Sequence, residues 1–195
     1  MFDDRRVFPA SEPLYAGLRM STDEYERLED DGHRYEVIEG VVIMAPSPGE
    51  QHQDIAGEIE HQLRSFLEKH PVGRVLHDID VRFDAKTLYR PDLIFLRKAT
   101  HPKRTGKIRV VPDMALEILS PGTRGRDLST KKHDYEKFGV TEYWIVDPDE
   151  QSFTCLRRRA GKLVSVPVSG RWFASDAVPG FKLDLASLRR ILRDE

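Results

Sequence analysis

The sequence predicts a mixed α/β fold, a mixed β-sheet flanked by helices, on three observations. Two apolar runs, Pro91-Asp92-Leu93-Ile94-Phe95-Leu96 and Met114-Ala115-Leu116-Glu117-Ile118-Leu119, have the length and composition of buried strands. A helical pattern separates the second run from a third at Tyr143 to Val146. That strand-helix-strand unit favours a right-handed parallel crossover in an otherwise antiparallel sheet. Ile55, Ile59, Leu63 and Phe66 recur at the spacing of a helix that buries one stripe. At 195 residues and 39% hydrophobic, the chain can bury one good core. A single domain over residues 21–195 is expected, after an N-terminal arm, residues 1–20, that carries Pro9 and Pro13.

Each element has a local signal. Ser21 and Glu24 form a capping-box pattern for a short helix through about Leu28, ended by Asp30-Asp31-Gly32. Arg34 to Ile38 and Val41 to Ala45 read as a hairpin turning at Glu39-Gly40. The next helix opens with Ser47 as N-cap, Pro48 at its first position and Glu50 at its third. Strands follow near Arg74 to Phe83 and Arg90 to Leu96, joined by a turn around Asp84 to Thr87. A loop rich in Lys, Arg and Thr spans roughly residues 98–109. Asp127 as N-cap and Gly139 as C-terminal stop bound the crossover helix, and a last hairpin turns near Gly161.

Three charges stand out against this pattern. Glu117 interrupts a run that reads as a central strand buried on both faces, and a buried carboxylate costs several kcal/mol unless it is paired or ligates a metal. Asp113 points to the same face but lies about 13 Å away along the strand, too far to share an ion with Glu117. Asp92 opens the preceding run and sits beside Glu117 if the two strands pair; the plain alternative is a turn cap after Pro91. Lys131 lies three after Leu128, four before Tyr135 and seven before Phe138, so it completes the apolar stripe of its helix. A lysine there either serves a site or snorkels past the core to water.

Two carboxylates and an ammonium suit metal-assisted phosphodiester hydrolysis. Mg²⁺ or Mn²⁺ prefers oxygen ligands and keeps several waters, so one or two carboxylates plus substrate phosphate suffice. The ion polarises the phosphate and acidifies an attacking water, and a lysine orients that water or stabilises charge on phosphorus. Glu36, alternating with Tyr35 and Val37, reads either as a site acid or as the polar face of an edge strand. His52 falls on the buried stripe three before Ile55, where a hydrogen-bonded core histidine is the commoner outcome. Ser120, in Ser120-Pro121-Gly122-Thr123, either shapes a substrate mouth or only ends a strand.

The order Pro91-Asp92, Glu117 and a downstream lysine is similar to the PD-(D/E)xK nuclease superfamily. More closely, the chain resembles the Uma2 group of restriction-endonuclease-like proteins. The matching stretches are Arg34 to Gly40, Pro46-Ser47-Pro48 through His52, Arg90 to Leu93 and Leu116 to Pro121. Arg126-Asp127 with Lys131 and Tyr135, Glu142 to Pro148, and Val178 to Phe181 with Leu183 and Leu185 continue the resemblance. One position departs from the superfamily pattern: Leu119 stands two after Glu117 where a lysine is usual, and Lys131 on the helix takes its place. The resemblance implies a restriction endonuclease-like core and a Mg²⁺- or Mn²⁺-dependent endodeoxyribonuclease. Asp92 and Glu117 would be the metal ligands, Lys131 the group acting on water or developing charge, and Glu36 an assisting acid. It further implies DNA as substrate, with His52, Ser120 and Arg126 as weaker candidates for contacting it, and a homodimer.

Composition bounds the alternatives. A net charge of -2 and a pI of about 6.4 exclude a strong global nucleic-acid binder, so any DNA contact needs a local basic patch. Arg157-Arg158-Arg159 and the Arg124, Arg126, Lys131, Lys132 neighbourhood are the candidates, and a solvated charged surface explains either run as well. One cysteine, Cys155, excludes an intrachain disulfide and fits a reducing compartment. With no signal-peptide pattern and no run of membrane-spanning length, the cytoplasm is the expected location. Two other functions stay open: a catalytically inactive nuclease-fold binding or regulatory protein, and a metal-dependent hydrolase of RNA or a nucleotide.

Overall fold

The computed structural model describes residues 12–101 and 106–193. Pro9 of the predicted arm and residues 102–105 of the predicted basic loop lie outside them. In chain order the elements are α1 (Thr22–Tyr25), β1 (Tyr35–Ile38), β2 (Val41–Met44), α2 (Glu50–Lys69), β3 (Gly73–His77), β4 (Val81–Arg82), β5 (Leu88–Tyr89), β6 (Leu93–Arg97) and β7 (Met114–Ile118). A continuous helical segment follows, built from α3 (Arg124–Arg126), a π-helical turn (Asp127–Lys131) and α4 (Lys132–Phe138). The chain continues through β8 (Glu142–Asp147), β9 (Ser152–Arg159), β10 (Lys162–Val166), β11 (Trp172–Ala174), β12 (Lys182–Asp184) and α5 (Leu185–Leu192).

The strands form a six-stranded sheet in the order β10-β9-β8-β7-β6-β3, a four-stranded sheet β2-β1-β5-β4 and the pair β11-β12. All neighbours in the large sheet are antiparallel except β7 and β8, which are parallel, as the helical crossover between them requires. Strand alternation divides the core. Leu93, Phe95, Met114, Leu116, Ile118, Trp144 and Val146 pack with Ile55, Ile59 and Leu63 of α2 and Leu188 and Leu192 of α5. Ala115, Leu119, Tyr143 and Ile145, with the opposite parity, pack with Tyr135 of α4 and with Ile38 and Tyr89 of the small sheet. Both faces of β7 are therefore covered, and Glu117 falls on the α4 side.

Several predicted boundaries move. The stretch predicted as one strand from Arg74 to Phe83 is two strands in two sheets, because Asp78 takes a left-handed conformation (φ 47°) between β3 and β4. The predicted strand Arg90 to Leu96 begins instead at Leu93. Pro91 lacks the N–H that a ladder needs, and β5 ahead of it belongs to the small sheet. Both sheet-to-sheet crossings, residues 78–80 and 90–92, thus lie side by side, tied by the amide of Asp78 donating to the carbonyl of Asp92 at 3.3 Å. Helix α2 is capped by Gly49, not Ser47; Gly49 is extended (ψ 176°), so the segment through Pro48 stays out of the helix. Asp127 is not an N-cap, since the helical segment already starts at Arg124.

Other local signals hold. The Ser21/Glu24 capping box is complete, Gly139 ends α4 with φ 102°, and Glu39 and Gly40 both take positive φ at the first hairpin. Gly17 to Met20 of the predicted arm hydrogen-bond alongside β2, with Val42 donating to the Leu18 carbonyl at 2.8 Å. Cys155 is buried in β9, and burial pushes its thiol up. Among the described residues no helix is long and apolar enough to cross a membrane.

Candidate functional site

The central side chains come from four elements that meet where the two sheets face each other. On β1, Tyr35 and Val37 point into one small core while Glu36 and Ile38 face the large sheet. On β7, Glu117 shares the α4 side with Ala115. The β6–β7 register pairs Leu93 with Leu116, so Asp92 and Glu117 come one residue beyond the last paired positions. Asp92 is fixed there by accepting from the amide of Ile118 at 2.7 Å, and His52 Nε2 at the start of α2 lies 3.2 Å from its other oxygen. Asp92 is one-quarter exposed at its side chain (23%), so it faces both the site and solvent.

Lys131 is 3% exposed, and its ammonium stands among three carboxylates: Glu36 at 2.8 Å, Glu117 at 3.0 Å and Asp127 at 3.3 Å. The snorkelling alternative is excluded by that burial. The stripe that pointed to Lys131 differs in detail, since Leu128 is 42% exposed and the inward face runs Asp127, Lys131, Tyr135. The π-helical turn is the reason: its wider spacing rotates Leu128 outward relative to a regular helix. Tyr135 donates to Glu117 at 2.7 Å, and Tyr143 donates to the backbone carbonyl of Asp127 at 3.0 Å.

Electrostatically the cluster is acidic. Burial raises the Glu117 carboxyl well above its usual range; Lys131 opposes this, while Asp127, Asp92 and Glu36 add to it. Burial likewise raises Asp127 against the pull of Lys131. For Lys131 the order reverses: burial lowers it, but Glu117, Glu36 and Asp127 together outweigh burial and hold it protonated well above the usual lysine range.

These groups line a cavity of about 330 Å³, together with Pro46 to Gln51, Ser120-Pro121, Arg34, Arg90 and Arg126. Every candidate from the sequence therefore converges there: Glu36, His52, Asp92, Glu117, Ser120, Arg126 and Lys131. Asp127, expected to be only a cap, joins them. Its signal was its place four before Lys131, on the same helix face. Glu36 is buried between β2 and β5, which excludes the edge-strand alternative. A second cavity, of about 410 Å³, shares Asp78 and Arg90 with the first but none of the candidate residues.

Two observations bear on whether a divalent cation fits. Carboxylates outnumber cationic side chains seven to four among the lining residues. Five buried side-chain polar atoms lack hydrogen-bond partners among the described residues, and four belong to this cavity: Glu36 Oε2, His52 Nδ1, Arg126 Nε and Asp127 Oδ1. No group of three or more His, Cys, Asp or Glu is arranged to hold a metal among the described residues. A Mg²⁺-type ion needs fewer, because water and phosphate complete its shell. Asp92 and Glu117 are the two carboxylates of this cavity that would serve such a shell.

Of the two candidate basic runs, Arg157-Arg158-Arg159 is engaged by acids and a backbone carbonyl. Arg157 pairs with Glu142 at 2.7 Å and with Asp176 at 3.2 Å, Arg159 pairs with Asp176 at 2.9 Å, and Arg158 donates to the Glu136 carbonyl at 2.7 Å. Arg124 pairs with Asp147 at 2.6 Å.

Comparisons with known proteins agree with this architecture. The family model for Uma2, described as "Putative restriction endonuclease", matches residues 22–186. A solved structure from Anabaena variabilis ATCC 29413, titled as a "putative nuclease belonging to DUF820", superposes with a TM-score of 0.74 at 22% identity. The match covers 89% of this chain and 99% of that one, and it establishes a shared fold. A search of curated proteins returned no match.

Proposed function

This chain belongs to the Uma2 family of restriction-endonuclease-like proteins, and from that premise we propose that it is a divalent-metal-dependent endonuclease that hydrolyses DNA phosphodiester bonds. The observation that carries the proposal is the meeting of Asp92, Glu117 and Lys131 in one cavity whose carboxylates exceed its cations. Bound Mg²⁺ or Mn²⁺ supplies polarisation of the scissile phosphate and a more acidic water. Asp92 and Glu117 are the residues that would hold it. Asp92 is suited to this because the Ile118 amide and His52 fix its orientation while part of it faces solvent. Lys131, kept protonated by its acidic neighbours, donates to the attacking water or to the charge growing on phosphorus. Glu36 assists by holding that ammonium, itself fixed by the Arg90 amide at 3.0 Å.

Arg126 Nε is a buried donor without an acceptor, 3.5 Å from Glu36, and suits a phosphate oxygen; Ser120 lies on the same wall. The cavity's acidic balance makes the cation a condition for the approach of a polyanion. The family resemblance extends the proposal to a homodimer that offers one cavity to each strand, which sedimentation would test.

The test is cleavage of plasmid, single-stranded DNA and RNA with Mg²⁺ or Mn²⁺. Plasmid cleavage that EDTA stops, lost by at least about 10²-fold in Asp92→Asn, Glu117→Gln and Lys131→Met, is expected. Full-rate cutting by Glu117→Gln, or wild-type protein that binds DNA yet never cuts it, overturns the assignment. Cleavage of RNA alone replaces the substrate class.

A further inference from the structure

The proposed mechanism leaves Asp127 without a role, although it is buried at 1% exposure and its Oδ1 accepts no hydrogen bond. A buried carboxylate is costly unless it is paired, and the pairing here is with Lys131 and Thr123, since the Asp127 side chain caps no helix N-terminus. It lies on the π-helical turn, a rare local geometry that recurs at functional sites. At that turn the Tyr143 hydroxyl donates to the Asp127 carbonyl at 3.0 Å. The result is a carboxylate 3.3 Å from Lys131 Nζ, a third partner beside Glu36 and Glu117.

We propose that Asp127 is a positioning residue: with Glu36 it anchors the Lys131 ammonium at the inner wall of the cavity, freeing Glu117 to turn from lysine to cation. The proposal rests on the metal-hydrolase reading above. Glu117 would have two competing duties, since the ammonium at 3.0 Å draws on its carboxylate and a cation held with Asp92 would draw on it too. A site with only Glu36 as second anchor would let Lys131 swing when Glu117 reorients. Asp127 Oδ1, already within ion-pair distance and with no other hydrogen-bond partner, takes over that contact. Lys131 then keeps a donor directed into the cavity.

Three measurements on Asp127→Asn and Asp127→Glu test this. The first is the ¹⁵N signal of the Lys131 ammonium, whose protons exchange slowly with water only while they are held. The second is Mn²⁺ affinity by calorimetry, and the third is plasmid cleavage resolved into kcat and KM. In the Mg²⁺-loaded protein, where Glu117 has turned to the cation, Asp127→Asn is expected to lose the ammonium signal, and it is expected to lose about 10–100-fold in kcat, with KM and the Mn²⁺ Kd within about threefold of wild type. Asp127→Glu is expected to recover the signal and part of kcat. An unchanged signal and kcat in Asp127→Asn overturns the proposal. A Mn²⁺ affinity that falls in step with kcat overturns it in favour of direct metal ligation by Asp127. Should the wild type bind no Mn²⁺, the metal reading fails, and the ammonium signal of Glu117→Gln, kept when Asp127 is intact and lost when Asp127→Asn is added, still decides whether Asp127 holds Lys131.

Discussion

Glu117→Gln is expected to stabilise the protein while abolishing cleavage. Removing one partner of a buried ion pair normally costs about 3–5 kcal/mol, because the other charge is left uncompensated. Here the ammonium of Lys131 keeps Glu36 at 2.8 Å and Asp127 at 3.3 Å, so it is not orphaned. The glutamine keeps an oxygen to accept from Tyr135 at 2.7 Å. What disappears is the buried negative charge that Asp127, Asp92 and Glu36 oppose. The net gain expected is about 1–3 kcal/mol near pH 8, or roughly 2–4 °C of Tm per kcal/mol for a chain of this size.

The gain depends on pH in a definite direction. A carboxyl whose folded pKa is raised binds its proton more tightly in the native state, so the contribution of Glu117 to wild-type stability is fullest at low pH and falls as pH rises through the folded value. The variant escapes that fall. The difference between the two should therefore shrink steadily as pH drops toward the ordinary carboxylate range. Thermal melts by circular dichroism at several pH values measure it without metal. A loss of 3 kcal/mol or more near pH 8, or a difference that grows on acidification, refutes the reasoning.

Three further outcomes are expected. Glu142 is fully buried and accepts from Trp144, Ser175, Arg157 and the Asp176 amide, so Glu142→Ala should cost about 3–5 kcal/mol by chemical denaturation while leaving Mn²⁺ affinity unchanged in the folded protein. A Cβ at Gly73 would stand 2.2 Å from the Phe95 ring and 2.5 Å from the Leu96 carbonyl oxygen; Gly73→Ala should lower stability by about 1–3 kcal/mol, and an unchanged melt would contradict that packing. Ser21→Ala removes a complete capping box and should cost about 1 kcal/mol, read from the same melts.

The central site was legible in the sequence because its residues break patterns that the fold enforces. Glu117 stands out by interrupting an apolar run, and strand pairing alone brings Asp92 to it. Lys131 stands out by its spacing to Tyr135, even though Leu128 points away. That last error is physical: a π-helical turn has no sequence signature comparable to a proline or a cap, so a regular period was extended through it. Asp127 was misread for the same reason, since an acid before a helical stripe ordinarily marks an N-terminus. The splitting of the Arg74 to Phe83 stretch between two sheets was hidden because period-2 alternation continues across the switch; for the later start of the next strand, Pro91 was the visible warning. Helix α5 went unread although its signal was present: Asp184 caps it through the Ala186 amide, and Leu185, Leu188 and Leu192 form its buried stripe. The arginine cluster misled because charge spacing along a strand does not say which acids stand opposite, and Glu142 and Asp176 do.

The claim on which the catalytic reading depends is that Asp92 and Glu117 share a cation. A crystal soaked in Mn²⁺ and measured for anomalous scattering tests it directly. The reading predicts one strong peak at roughly 2.0–2.3 Å from an oxygen of each carboxylate, absent in Asp92→Asn crystals treated alike. A peak bound elsewhere, or none at saturating Mn²⁺ with both carboxylates intact, contradicts it.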